Sequence, residues 1–219
     1  MNHPPARSRE TGSGAFLSTL STPRRGGRAG ISSVELLLVL AVAAALLCVI
    51  VPGVLHLRSA IAVRSAAGQV QAAFYRARAH AIGRGTLVGV KFRRNGPRHE
   101  WALYRDGNGN GVRNVEIASG VDRPLGVVYP WDRNDVIPGI LTGSPVPDPG
   151  NPRATLDRPD DPIRFNASDI CSFSPVGEST PGSVYLWDGH DRMAVVRVFG
   201  RSAKIRALFH RRGEPGWRK

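Results

Sequence analysis

The spacing of apolar residues divides this chain into three stretches. From Leu36 to Leu55 the run LLLVLAVAAALLCVIVPGVL contains no charged side chain, and its length is about the ~20 residues that a helix needs to cross the hydrocarbon of a bilayer. Beyond Pro52-Gly53, the residues Ala60, Val63, Ala67, Val70, Phe74, Ala77 and Ala81 recur at alternating three- and four-residue steps. That period predicts an amphipathic continuation of the helix over residues 56–85. Arg58, Arg64, Gln71, Arg76 and Arg78 fall off the stripe, and Gly83 and Gly85 supply the stop. The small residues of the stripe suit close packing on a sheet. A two-chain coiled coil is the other reading, disfavoured because Ala fills most of the contact positions.

From Thr86 the period shortens to that of strands. Leu87 to Phe92 and His99 to Tyr104 read as a hairpin, and short candidates follow at Gly126 to Tyr129 and Val136 to Leu141. Residues Ser144 to Asp161 hold Pro145, Pro147, Pro149 and Pro152 and predict a surface loop. Strand patterns return at Ile163 to Phe165, Cys171 to Phe173, Val184 to Trp187, Ala194 to Phe199 and Lys204 to Phe209, the last two forming a final hairpin. A long helix followed by antiparallel strands is an α+β arrangement in which the helix packs on the sheet of a β-rich domain over 86–219.

Charge adds direction. The chain carries a net +13, and Arg7, Arg9, Arg24, Arg25 and Arg28 against Glu10 leave about +9 on the residues after 30. Arginines immediately before the apolar run hold the N-terminus in the cytoplasm and send the C-terminal portion across. A secretory signal peptide has a shorter apolar core and a small-residue cleavage site after it. Here the run ends in Val51-Pro52-Gly53-Val54-Leu55-His56 without such a site. Cys48 and Cys171 fall in different compartments on this reading, so no internal disulfide is expected.

Glu35 stands at the edge of the apolar run, where a carboxylate is costly unless it has a partner or reaches interfacial water. The segment Gly30-Ile31-Ser32-Ser33-Val34-Glu35-Leu36-Leu37-Leu38-Val39-Leu40 resembles the signal of type IV pilins and type II secretion pseudopilins. The resemblance implies a leader, residues 1–30, cut by prepilin peptidase between Gly30 and Ile31, with N-methylation of Ile31. It also implies that residues 31–55 form a transmembrane and assembly helix. The new amine of Ile31 would then meet Glu35 of a neighbouring subunit, since a buried unpaired charge costs several kcal/mol.

In the C-terminal half, Phe173-Ser174-Pro175-Val176-Gly177, Ser183-Val184-Tyr185-Leu186 and Val198-Phe199-Gly200-Arg201-Ser202-Ala203-Lys204-Ile205-Arg206 resemble the ends of GspH/FimT proteins, the H-class pseudopilins and related minor pilins. This implies a pilin-like fold and a minor, tip-region subunit of a pseudopilus or pilus. The implied partners are other pilins or pseudopilins, prepilin peptidase and an inner-membrane assembly platform. The domain would be periplasmic.

Two further patterns bear on binding. Asp106-Gly107-Asn108-Gly109-Asn110-Gly111 has the oxygen spacing that opens a calcium loop, but Ile117 stands where the closing bidentate Glu belongs. A Gly/Asn hairpin turn is the better reading of Asp106, Asn108 and Asn110. Arg201, Lys204 and Arg206, with Phe199 nearby, could hold a phosphate backbone. Some FimT-like pilins bind DNA through a basic Gly-Arg-x-Arg element that Gly200 to Lys204 approximates, and a solvated polar face is the alternative. The six His show no metal or catalytic spacing, and no nucleophile triad, phosphate loop or dinucleotide fingerprint is present. Neither an enzyme nor a cofactor is expected.

Overall fold

The structure, a computed structural model, describes residues 30, 32–96, 98–131 and 135–219, without the side chains of 49, 51–56 and 98. The leader over 1–29 and the expected mature start, Ile31, lie outside the described residues. The chain divides into two units, one ending at Leu46 and one spanning Leu47–Lys219.

In the first unit, helix α1 (Ser33–Arg84) begins. The hydroxyl of Ser32 accepts the N–H of Val34 at 3.4 Å, and Leu36 N–H donates to the carbonyl of Ser32 at 3.0 Å, so Ser32 caps the first turn. Val34, Leu36, Leu37, Leu38, Val39, Leu40, Val42 and Leu46 are all exposed. Among the described residues no helix is long and apolar enough to cross a membrane. The apolar run read from the sequence includes Val49 and residues 51–55, whose side chains are not described.

The second unit is organised by the rest of α1. Val63, Ala67, Val70, Phe74, Ala77 and Ala81, the expected stripe, are buried together with Ala62, Ala66 and Ala73. They pack on sheets of the same chain, which leaves no such face for a coiled coil. The helix ends as the sequence predicts at one of its two glycines: Gly85 takes φ of +64°, and Thr86 N–H returns to the carbonyl of Ala81 at 3.3 Å. Gly83 stays within the helix.

Two antiparallel sheets replace the single sheet expected. In one, β3 (Arg123–Pro124), β2 (Arg98–Arg105), β1 (Val88–Asn95) and β7 (Ile170–Phe173) are neighbours in that order, with β4 (Tyr129–Pro130) also on β2. In the other the order is β10 (Lys204–Arg211), β9 (Arg192–Phe199), β8 (Gly182–Trp187) and β5 (Ile137–Pro138), with β6 (Ile163–Arg164) also on β8. The expected first and last hairpins are β1–β2 and β9–β10, in full register. The strand candidates at 126–129 and 136–141 shrink to the two-residue β4 and β5.

Strand alternation then builds three layers of packing. Val88, Val90, Phe92, Leu103 and Phe173 of the first sheet join Val184, Leu186, Ala194, Val196 and Val198 of the second beneath α1. On the opposite face of β8 and β9, Tyr185, Met193 and Val195 are covered by Ile140, Leu141 and Val146. The proline-rich segment is mostly exposed but tied to the sheet: Val146 is buried, Leu156 packs against the same cluster, and Pro147 bridges to Thr155. The outer face of β1, β2 and β7 is covered where Val112 and Ile117 meet Ala102, Tyr104 and Ile170. Close approach of strands fixes Gly182, where a Cβ would sit 2.3 Å from both the carbonyl oxygen of Arg164 and the ring of Phe165.

Candidate functional site

The residues expected from the sequence to serve cleavage and assembly sit at the start of α1. Gly30 is exposed, and Glu35 lies in the first helical turn, exposed, where a carboxylate also complements the positive end of the helix dipole. Ser32 and Glu35 have the sequence spacing of a capping box, but the only side-chain capping bond described there is from the Val34 N–H to the Ser32 hydroxyl. Ile31 is not among the described residues, so its relation to Glu35 stays a sequence expectation.

The Asp106 loop is an internal scaffold. Asp106 is 5 % exposed; its Oδ1 accepts the N–H of Asn108 at 3.0 Å and of Gly109 at 2.8 Å, and its Oδ2 that of Gly111 at 2.8 Å. Asp122, also buried, accepts the N–H groups of Gly107 and Arg113. Asn108 and Asn110 turn their amide N–H groups to Glu116 Oε1 at 3.0 and 2.6 Å. These bonds give the Asp/Asn/Gly pattern a structural part in shaping the loop. Among the described residues no group of three or more His, Cys, Asp or Glu could hold a metal. The loop does not turn directly into a strand, as expected, but leads into α2 (Asn114–Ser119), which closes on Gly120 at φ +78°.

At the other candidate site the structure brings Lys204 and Arg206 onto one face of β10, with Arg201 in the preceding turn, all three exposed. Across the ladder Arg206 stands opposite Arg197 and Lys204 opposite Phe199. The guanidinium carbons of Arg197 and Arg206 lie 5.4 and 5.7 Å from the centre of the Phe199 ring, within cation–π range. Arg197, outside the expected trio, also donates to the carbonyl of Pro149 at 2.7 Å and so ties this face to the proline-rich segment. The turn is anchored from behind: Ala203 is fully buried, and its carbonyl accepts Arg78 Nη1 from α1 at 3.4 Å.

Both cysteines are free. Burial pushes the Cys171 thiol well above its ordinary range, which makes it inert packing.

Helix α1 begins with exposed apolar residues and its later turns are buried against two antiparallel sheets, an α+β arrangement. A family model described as type II transport protein GspH matches residues 66–200, more than half of the chain, and the chain belongs to that family. No curated protein and no solved structure matches it. Membership gives it a structural, pseudopilin-like role in type II secretion, in association with other pseudopilins.

Proposed function

We propose that this chain is a minor pseudopilin or pilin processed between Gly30 and Ile31, N-methylated on Ile31 and assembled into a type II secretion pseudopilus or type IV pilus. Before assembly it is a single-pass inner-membrane protein, N-terminus cytoplasmic and C-terminal domain periplasmic. Glu35 pairs with the Ile31 amine of a neighbour, which neutralises both ions in apolar surroundings and sets axial register. The observation carrying this reading is the change along α1: Leu36, Leu37, Leu38, Val39 and Leu40 are more than half exposed, whereas Ala66, Ala67, Phe74, Ala77 and Ala81 have no exposed surface at all. A lone domain has no use for an uncovered apolar helix, and a filament core or bilayer supplies its cover. Mass spectrometry of the protein from its own membranes tests the processing step. A methylated start at Ile31, and full-length precursor for Gly30→Val, are expected; a mature start after residue 53 overturns the reading.

A second reading, a filament-tip pilin that binds DNA, is favoured by the exposed Arg201, Lys204 and Arg206 beside the guanidinium-flanked Phe199. Backbone phosphates would meet the cations, and an unstacked base would meet the ring.

A further inference from the structure

A second basic cluster lies at the opposite end of β10 from Arg201. There Ala60, Val63 and Arg64 of α1 face Arg192, Phe209, His210, Arg211, Glu214 and Arg218 across a cavity of about 130 Å³. We propose that this cavity is a headgroup site for an anionic phospholipid, with Arg64 and Arg218 at its mouth. The proposal rests on the membrane reading of α1 given above.

Three features carry it. The first is charge. Asp191 is shared by Arg211 at 2.9 Å and Arg192 at 3.9 Å, and Glu214 holds Arg218 at 3.1 Å. With Asp188, which accepts the hydroxyl of Ser59 and the backbone N–H of Arg192, three carboxylates stand against four guanidiniums. Arg64 has no carboxylate partner among the described residues and stands over the Phe209 ring at 5.1 Å. The second is an under-neutralised guanidinium in the cavity wall: Nε of Arg192 is shielded from solvent, makes no hydrogen bond and has only Asp191 at 3.9 Å, so its charge adds to the positive field of the cavity.

The third is depth. Ala60, Val63 and Arg64 follow Leu55, the end of the apolar run, by only five to nine residues on one continuous helix. At ~1.5 Å per residue they lie roughly 7 to 14 Å beyond the hydrocarbon edge, and the headgroup layer there is itself about 5 to 7 Å thick. Helical side chains lean towards the N-terminus, so Arg64 reaches back towards that layer. Ala60 thus stands at the outer limit of the headgroup layer and the Arg64 side chain spans part of the remaining distance, so a phosphodiester of the lipid surface is the anion nearest the cavity, whereas Arg201 and Lys204, at the far end of β10, stand farther away.

The test uses the full chain in vesicles of phosphatidylethanolamine containing a minority of phosphatidylglycerol, extracted in mild detergent, with the lipids that remain bound quantified. The wild type should retain phosphatidylglycerol above its bulk share. Arg64→Gln with Arg218→Gln should lower that enrichment by roughly fivefold for each charge near the surface. Arg64→Lys should keep it, as should Arg201→Gln with Lys204→Gln. Both mouth arginines are exposed, and an unchanged near-ultraviolet circular dichroism spectrum checks that the fold survives. A bulk lipid ratio in the wild type, or equal losses in the two double variants, overturns the headgroup site while the chain stays inserted. Displacement of the lipid by added inorganic phosphate would overturn it in favour of a free-phosphate site. Release of the chain from vesicles by alkaline carbonate instead sinks the membrane reading on which the proposal stands.

Discussion

The ring of Phe74 meets the ring of Phe165 edge-on, with centres 5.8 Å apart and planes at 76°. Phe74 also touches Phe92 at 5.9 Å and Phe173 at 6.1 Å, so one helical side chain joins the strands and connections of the domain at a single point. Phe74→Ala should cost about 3 to 5 kcal/mol, the range for emptying a well-packed aromatic site. Urea unfolding of the full chain in detergent, followed by near-ultraviolet circular dichroism, measures it. A loss under ~1 kcal/mol would mean that the site collapses around the gap.

Asp106 should make the domain sensitive to acid. Burial acts to raise its pKa, but the N–H groups of Gly111, Asn108, Gly109 and Asn110 together outweigh burial and hold the carboxyl below its ordinary 3.8. A carboxyl depressed by folding contributes stability above its unfolded pKa and loses it as pH falls through the folded one. Stability should therefore decline below about pH 4, and Asp106→Asn should flatten that acid limb. At neutral pH the substitution should cost about 1.5 to 3 kcal/mol through weakened charge-assisted bonds. Unfolding midpoints at pH 7 and pH 3 give both numbers.

Glu35 has two possible employers, its own helix terminus and a neighbouring subunit. Glu35→Ala should be processed and stably inserted yet enter filaments poorly beside wild-type subunits. Glu35→Gln separates the two: it retains a capping-box side chain but no charge, so it should fail like Ala if the neighbour's Ile31 amine is the partner. Recruitment of Glu35→Gln at the wild-type level would assign Glu35 to the local cap alone. Co-purification of tagged variants with wild-type filaments reads the difference.

If Arg201, Lys204 and Arg206 contact a nucleic-acid backbone, binding by the full chain in detergent should weaken with salt at a log–log slope of roughly −0.9 per neutralised phosphate. Replacing all three by Gln should flatten the slope by about two to three units. Sequence preference should be weak, since an exposed strand and turn present no groove-reading helix. An unchanged slope would leave this end of β10 a solvated face.

The sequence disclosed most where burial imposes a period. Val63, Val70, Phe74 and Ala77 announced the buried face of α1, and Ala194, Val196 and Val198 the inner face of β9. It disclosed little where a few residues are held by tertiary contacts. The six residues of α2 are too few for helical periodicity, and Arg113 before them offers no side-chain cap. Val146 and Leu156 lie among prolines that signal loop, and only the uncovered outer faces of Tyr185, Met193 and Val195 explain why they fold inwards. The candidate sites divide in the same way. Arg201, Lys204 and Arg206 were visible as a basic run, but Arg64 and Arg218, far apart in sequence, meet across one cavity only because β10 returns alongside the helix.

That return has a consequence for the order of events during synthesis. Arg78 reaches Ala203 and Arg64 reaches Phe209, so the last strand lies against the first element of the domain. A growing chain emerges helix first and must keep the Ala-rich face of α1 waiting until residue 209 is free. Contacts between such distant residues form late, and exposed apolar surface invites wrong partners in the interval. The domain is thus latched by β10, and a polypeptide cut short after Phe199 would uncover the edge of β9 and the part of the helix around Arg64 together.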